Sequence, residues 1–245
     1  MVGSIPTPGT GGKMFKKNKD NPTLEYWTSI AGLTDIEDIR PYPLKKSMPE
    51  WWKNIPPSNF NKKTVKHCPS FMDVFSSAYV IPMWCDTLIT FRDSQIFWQS
   101  PSSEYQFEFH SNEQFLSYAP KWINQEVSAV LKPISPWFAK TPKGYSVYQM
   151  PVFYDFNENF SSIPGIIHTD VYHYINPQIL IFSKKKEFLI KRGTPLFIHF
   201  PFKREKFSLS VNEGNRDDAI FNRCNPIVNT KFLAGYRSFT KNFMK

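Results

Sequence analysis

Cysteine, glycine and long apolar runs are all scarce in this chain of 245 residues. The 3 cysteines, Cys68, Cys85 and Cys224, form an odd set with no Cys-x-x-Cys spacing, which offers no disulfide framework and suits a reducing compartment. No apolar stretch reaches the roughly 18 residues that a membrane-crossing helix needs, so no membrane span is expected. Residues 1–12 are rich in Gly, Pro and Thr without an apolar core and do not read as a secretory signal. Gly-x-Ser-x-Gly, Walker A and Gly-x-Gly-x-x-Gly patterns are missing, which leaves hydrolase and nucleotide-fold readings without a motif. Heptads, glycine repeats and internal repeats are missing too, excluding coiled-coil and collagen-like fibres.

What is present is aromatic and proline-rich. Phe numbers 23 and Pro 21 against 10 Gly, and 17% of the residues are aromatic. With 41% hydrophobic and 21% charged residues, this is the composition of a folded chain, not of a disordered one. Proline suppresses helix interiors, while Phe favours half-buried pleated surface. The pair points to a mainly β fold with proline-shaped connections. The net charge of +9, mostly lysine, fits a solvated basic surface and is compatible with nucleic acid, although no RNP-type pattern accompanies it.

Three regions are expected. Residues 1–63 read as an N-terminal arm: a flexible, then Lys-rich start to residue 22, followed by short helical turns. One turn is 48–53, where Pro49 opens a helical turn carrying Trp51 and Trp52, which pack the arm onto a sheet. Residues 64–210 read as a β-barrel or sandwich core. Here 70–75 is a short helix capped by Ser70, and 79–85 is a buried strand. Residues 88–92 and 95–99 form a hairpin around Asp93-Ser94, and 105–109 and 127–131 are further strands. The runs 145–150, 165–172, 178–182, 187–190 and 196–200 are five more, with Lys184–Lys186 as a solvated hairpin tip. Cys68 and Cys85 read as packing thiols, and residues 203–206 as an exposed strand end. Residues 211–245 read as a helical tail, with helices over 217–224 and 230–243.

The sharpest chemical pattern is His168-Thr169-Asp170, with His173 and His199 downstream. In a strand, residues i and i+2 share a face, so His168 and Asp170 can address one ion. His199 from another strand would complete a two-His-one-carboxylate iron triad, with Arg204 binding a substrate carboxylate. The plainer reading makes them hydrogen-bonded polar residues at a barrel rim.

The order Pro142-Lys143-Gly144-Tyr145, then Pro164-Gly165-Ile166-Ile167-His168-Thr169-Asp170, then Lys191-Arg192-Gly193-Thr194-Pro195-Leu196 resembles the second half of trimeric dUTPases. There a Pro-x-Gly-Tyr turn precedes a Gly-Val-Ile-Asp-x-Asp strand and a Lys-Gly hairpin. The resemblance spans residues 136–202 and implies a β-clip, a jelly-roll-like distorted barrel. It does not imply the activity. His168 stands where the family has its first Asp, and residues 151–154 retain neither the Arg nor the Ser of its phosphate-binding stretch. The glycine-rich C-terminal arm is replaced by a basic helix. Gly165, Ile167, Asp170 and Gly193 carry over as structural positions.

Over its whole length the chain also resembles a family of proteins of large tailed marine phages that has no assigned activity. The shared features are Pro49-Glu50-Trp51-Trp52-Lys53, Thr64-Val65-Lys66-His67-Cys68-Pro69, Tyr79-Val80-Ile81-Pro82, and Gly193-Thr194-Pro195-Leu196 followed by Pro201-Phe202-Lys203-Arg204. That resemblance implies Asp at the position of His168 in other members, so His168 would not be a shared ligand. The expectation is therefore a non-enzymatic phage protein without a cofactor, a structural or interaction component of the virion. It would form a homo-oligomer or join other virion proteins through its arms, in the virion or the host cytoplasm. Two alternatives stand beside it. One is a non-haem iron, 2-oxoglutarate-type oxygenase using His168, Asp170 and His199. The other is a nucleotide-binding dUTPase relative that has lost hydrolysis.

Overall fold

A computed structural model describes residues 21–57, 64–92, 95–103, 105–182 and 186–215. The expected helices over 217–224 and 230–243, residues 1–20 of the expected arm and the expected Asp93-Ser94 turn lie outside the described residues.

The described residues form fourteen strands and three short α-helices. In chain order the strands are β1 (Glu25–Trp27), β2 (Tyr42–Pro43), β3 (Tyr79–Pro82), β4 (Thr87–Arg92), β5 (Gln95–Gln99), β6 (Phe107–His110) and β7 (Ala129–Pro133). They continue with β8 (Phe138–Lys140), β9 (Tyr145–Met150), β10 (Phe160–Ser162), β11 (Gly165–Ile167), β12 (Ile179–Ile181), β13 (Glu187–Ile190) and β14 (Pro195–Lys203). The helices are α1 (Glu50–Lys53), α2 (Pro69–Ser77) and α3 (Lys121–Glu126). The strands make four antiparallel sheets, in the orders β11-β9-β14-β3-β2, β10-β12-β7-β6, β13-β4-β5 and β1-β8, and no sheet closes on itself. The fold is mainly β, as composition implies.

The five-stranded sheet organises the molecule because both of its faces are covered. Val80 pairs with Ile198 across β3 and β14, and Ile81 pairs with Phe197. Alternation then sends the first pair to one face and the second to the other. Ile81 and Phe197 join the large core with Met83, Trp84, Ile89, Leu131 and Ile179. Val80 and Ile198 meet Leu44, Trp52, Phe75 and Ala78 under α1 and α2. A strand buried on both faces reads as a continuous apolar run, which is why 79–85 lacks alternation. The run is buried from Val80 to Cys85 but stops being a strand at Pro82. Met83 instead donates its amide to the Thr194 carbonyl at 2.8 Å and accepts from the Gly193 amide at 2.7 Å. Gly193 has φ of 82°, in the left-handed region where glycine is favoured.

Several boundaries differ from the sequence reading for identifiable reasons. The stretch 24–55 is woven into the body: β1 pairs with β8, β2 with β3, and Leu33, Ile39, Leu44 and Trp52 are buried. The helix expected to start after Ser70 starts at Pro69, since proline's fixed φ suits the first helical position. The hairpin of β4 and β5 forms in the expected register, Arg92 opposite Gln95. β12 pairs with β10 and β7 whereas β13 pairs with β4, so the two strands belong to different sheets; of the expected tip Lys184–Lys186, Lys184 and Lys185 lie outside the described residues. The strand expected over 165–172 ends at Ile167, where the amides of Val171 and Tyr172 both turn back to the His168 carbonyl.

Candidate functional site

The turn after β11 is stapled to the turn before β9. The Thr141 amide donates to the Thr169 carbonyl at 3.2 Å, and the two threonine hydroxyls meet at 2.7 Å in a buried pair. Gly144, with φ of 86°, points its amide at Asp170 Oδ2 over 2.9 Å. The end of β14 closes the arrangement. Arg204 donates its backbone amide to the Gly144 carbonyl at 2.8 Å and grips Asp170 through both guanidinium nitrogens, with Nη1 to Oδ1 at 2.7 Å and Nη2 to Oδ2. This bidentate, charge-assisted contact covers the carboxylate, whose side chain is 3% exposed. The Arg204 guanidinium first, then the Gly144 amide, holds the Asp170 carboxyl down to about 2.

His168 joins through a serine. Arg204 Nη1 donates to Ser146 Oγ at 3.1 Å, which leaves the hydroxyl proton for His168 Nδ1 at 2.9 Å. His168 and Asp170 are therefore linked around Arg204 and Ser146, from a turn and not from the strand face their spacing suggested. Arg204 serves a carboxylate, but one of this chain's own. Ser146 and the Gly144 amide were not singled out in the sequence, and the Lys143-Gly144 turn signal was the clue to the second.

His199 lies elsewhere. On β9, Ser146 and Gln149 are three residues apart, so their side chains leave opposite faces of the sheet. His168 meets Ser146, while His199 Nε2 lies 3.4 Å from Gln149 Oε1. The structure thus places His199 across the sheet from His168 and Asp170. It is fully buried, with the Tyr26 hydroxyl 3.0 Å from its Nδ1 and the Tyr26 ring stacked at 5.9 Å. Burial pushes the imidazole down to about 3 and pushes the Tyr26 phenol well up. Both groups are therefore neutral near pH 7: Tyr26 donates to Nδ1 and the Nε2–H donates to Gln149. His173 Nδ1 is occupied at 3.0 Å by the Thr169 carbonyl. Among the described residues no group of three or more His, Cys, Asp and Glu side chains could hold a metal ion.

One concavity borders these residues, and a second is lined by none of them. A groove of about 430 Å³ runs along β11, the edge strand of the five-stranded sheet, and is lined by Ile163, Ile166, Val171, Tyr172 and Tyr174 with His168 at one end. A smaller one of about 240 Å³ lies among residues 152–157, 160–162, Pro195 and Leu196. Its wall at Tyr154 is aromatic, with the ring packed on Phe71, Phe75 and Trp52, and the Tyr154 carbonyl accepts from Trp51 Nε1 at 2.7 Å. Cys85 is buried with its thiol 3.4 Å from Thr87 Oγ1, a packing position.

No protein-family model and no curated protein matches the chain.

Proposed function

We propose that this chain is a non-enzymatic structural or interaction component of a phage virion, built on a β-clip or jelly-roll-like core. The observation that carries the reading is the number of exposed aromatic side chains that already touch one another. Trp98 and Phe109 meet at 5.0 Å between ring centres on β5 and β6. Trp51 and Phe156 meet at 5.4 Å, and Tyr172 and Tyr174 at 5.8 Å. Trp122 on α3 and Tyr118 just before it also stand out from the surface. Apolar surface arranged in pairs on several elements is what an assembling protein covers with partners. The polar residues with chemical potential, by contrast, are engaged with one another: Asp170 by Arg204 and Gly144, and His199 by Tyr26 and Gln149. The phage origin and the β-clip detail are supported by the sequence resemblances set out above.

Immunogold labelling of purified particles of the source phage tests the proposal. Gold at a fixed place on intact particles is the expected result. Unlabelled particles alongside labelled soluble protein would contradict it.

A further inference from the structure

The strand β14 ends at Lys203, and Arg204 is pinned by Asp170 and Gly144. Beyond that clamp, residues 205–215 belong to no helix or strand and are exposed throughout. Within this stretch the sequence Phe207-Ser208-Leu209-Ser210-Val211 alternates with period two. In an extended chain that pattern puts Phe207, Leu209 and Val211 on one edge-on face and the two serines on the other. The three apolar side chains are 88%, 91% and 87% exposed. A solvated loop has no use for such a pattern, whereas it is the pattern of a half-buried strand that lacks its sheet.

The same molecule holds a sheet edge that lacks a strand. Among the described residues β11 is hydrogen-bonded to β9 alone. Gly165, Ile166 and Ile167 are consecutive, so their side chains alternate, yet all three line the groove beside them. The groove therefore lies along the open backbone edge of β11. Its apolar lining is uncovered, with Ile166 57% and Val171 76% exposed. The root of the arm sits at the lip of this groove, since Asp170, which Arg204 grips, precedes Val171. Even so, residues 205–215 are exposed throughout, and among the described residues none of them lines the groove.

We propose that residues 207–211 add as a β-strand to β11 of a second copy of this chain, with Phe207, Leu209 and Val211 seated against Ile166, Val171 and Tyr172. Main-chain hydrogen bonds along the open edge supply affinity, and the alternating side chains supply register. Each copy offers one arm and one groove, so exchange between two copies closes a dimer, and head-to-tail exchange closes a ring. An exposed edge with apolar flanks is a hazard in a free monomer, and the exchange covers it. This inference rests on the assembly reading above, and its test is separable from it: a chain that enters virions without self-association would retain that reading and lose this one.

The experiment uses the full chain. Sedimentation velocity compares the unaltered protein with an arm variant, Phe207→Asp/Leu209→Asp/Val211→Asp, and a groove variant, Ile166→Asp. All four positions are exposed in the single chain, so the unfolding midpoint should be unchanged, and a variant that does unfold is replaced by the milder Leu209→Ser. The expected result is an oligomer for the unaltered chain and monomers for each variant. A 1:1 mixture of the two variants should recover a dimer, joining the intact arm of one to the intact groove of the other. In parallel, a photocrosslinking residue replaces Leu209 in a mixture of ¹⁴N- and ¹⁵N-labelled copies. Mixed-isotope links from residue 209 to the 163–174 segment are expected. A monomeric unaltered chain, self-association that survives both variants, or links confined to single copies would each overturn the proposal.

Discussion

Lowering the pH below the usual histidine range should destabilise this protein through one buried side chain. His199 is fully buried between Tyr26, Gln149 and Phe197, opposite Tyr79 on β3. Its imidazole is neutral in the folded state down to about 3, against 6.5 in an open chain. The unfolded state therefore binds the proton first as pH falls. Stability from this group is full above pH about 6.5 and is lost progressively as the pH drops toward 3. Each pH unit in that window costs about 1.4 kcal/mol, so the loss between pH 7.5 and pH 4.5 is about 2.7 kcal/mol. Asp170 does not contribute in this range, because its carboxyl is held at about 2 and its contribution disappears only below the ordinary value of 3.8. Asp155 is pushed up by burial, so it acts in the opposite direction in acid. It is common to both proteins in a comparison with His199→Gln, which keeps a polar side chain but cannot take a proton. Urea titrations followed by fluorescence of the 7 tryptophans would give stability at pH 7.5, 6.5, 5.5 and 4.5 for both. The two curves should diverge by about 2.7 kcal/mol across that range. Parallel curves would refute the argument.

Three further outcomes are expected. Trp52→Ala should cost about 3–5 kcal/mol in urea midpoints, because Trp52 is 1% exposed among Phe71, Phe75 and Tyr154, whereas Trp51→Phe at the half-exposed neighbour should cost about 1 kcal/mol through its lost bond to the Tyr154 carbonyl. Asp170→Ala should speed hydrogen exchange at the Gly144 amide without speeding it at Val147, since that amide loses the carboxylate it donates to while the β9 ladder remains. Anaerobically purified protein should carry no stoichiometric iron, because Asp170 is committed to Arg204 and His199 faces away from it, and calorimetric titration with millimolar dUTP or dUMP should give no heat, because residues 151–154 offer neither an Arg nor a Ser to a phosphate. Bound iron lost on Asp170→Ala would instead support the oxygenase alternative.

The amount of structure legible in the sequence followed how local the determining physics was. Alternation and turn residues located β4, β5, β9 and β13 to within a residue or two, and the start but not the end of β14, because a hairpin or a capped edge declares itself over a few positions. The pairing of sheets did not declare itself. Nothing local to Lys184–Lys186 reveals that β12 and β13 join different partners, and nothing in residues 25–27 reveals a strand whose partner, β8, lies more than a hundred residues away. The same limit governs the site. His168 and Asp170 stand near each other because a single residue, Thr169, lies between them, and that closeness is readable. Ser146 and Arg204 join them through the register of β9 with β11 and β14, and His199 is excluded by the parity of that same register. The arm at Phe207–Val211 carries its strand pattern openly, but only the fold shows that no sheet among the described residues receives it.

Quantitative mass spectrometry of virions from the source phage, purified on successive density gradients, tests the central claim most directly. A constant molar ratio of this chain to capsid or tail proteins across the particle peak is the expected result. Depletion of the chain from the particles with each gradient, while capsid and tail proteins persist, would contradict it.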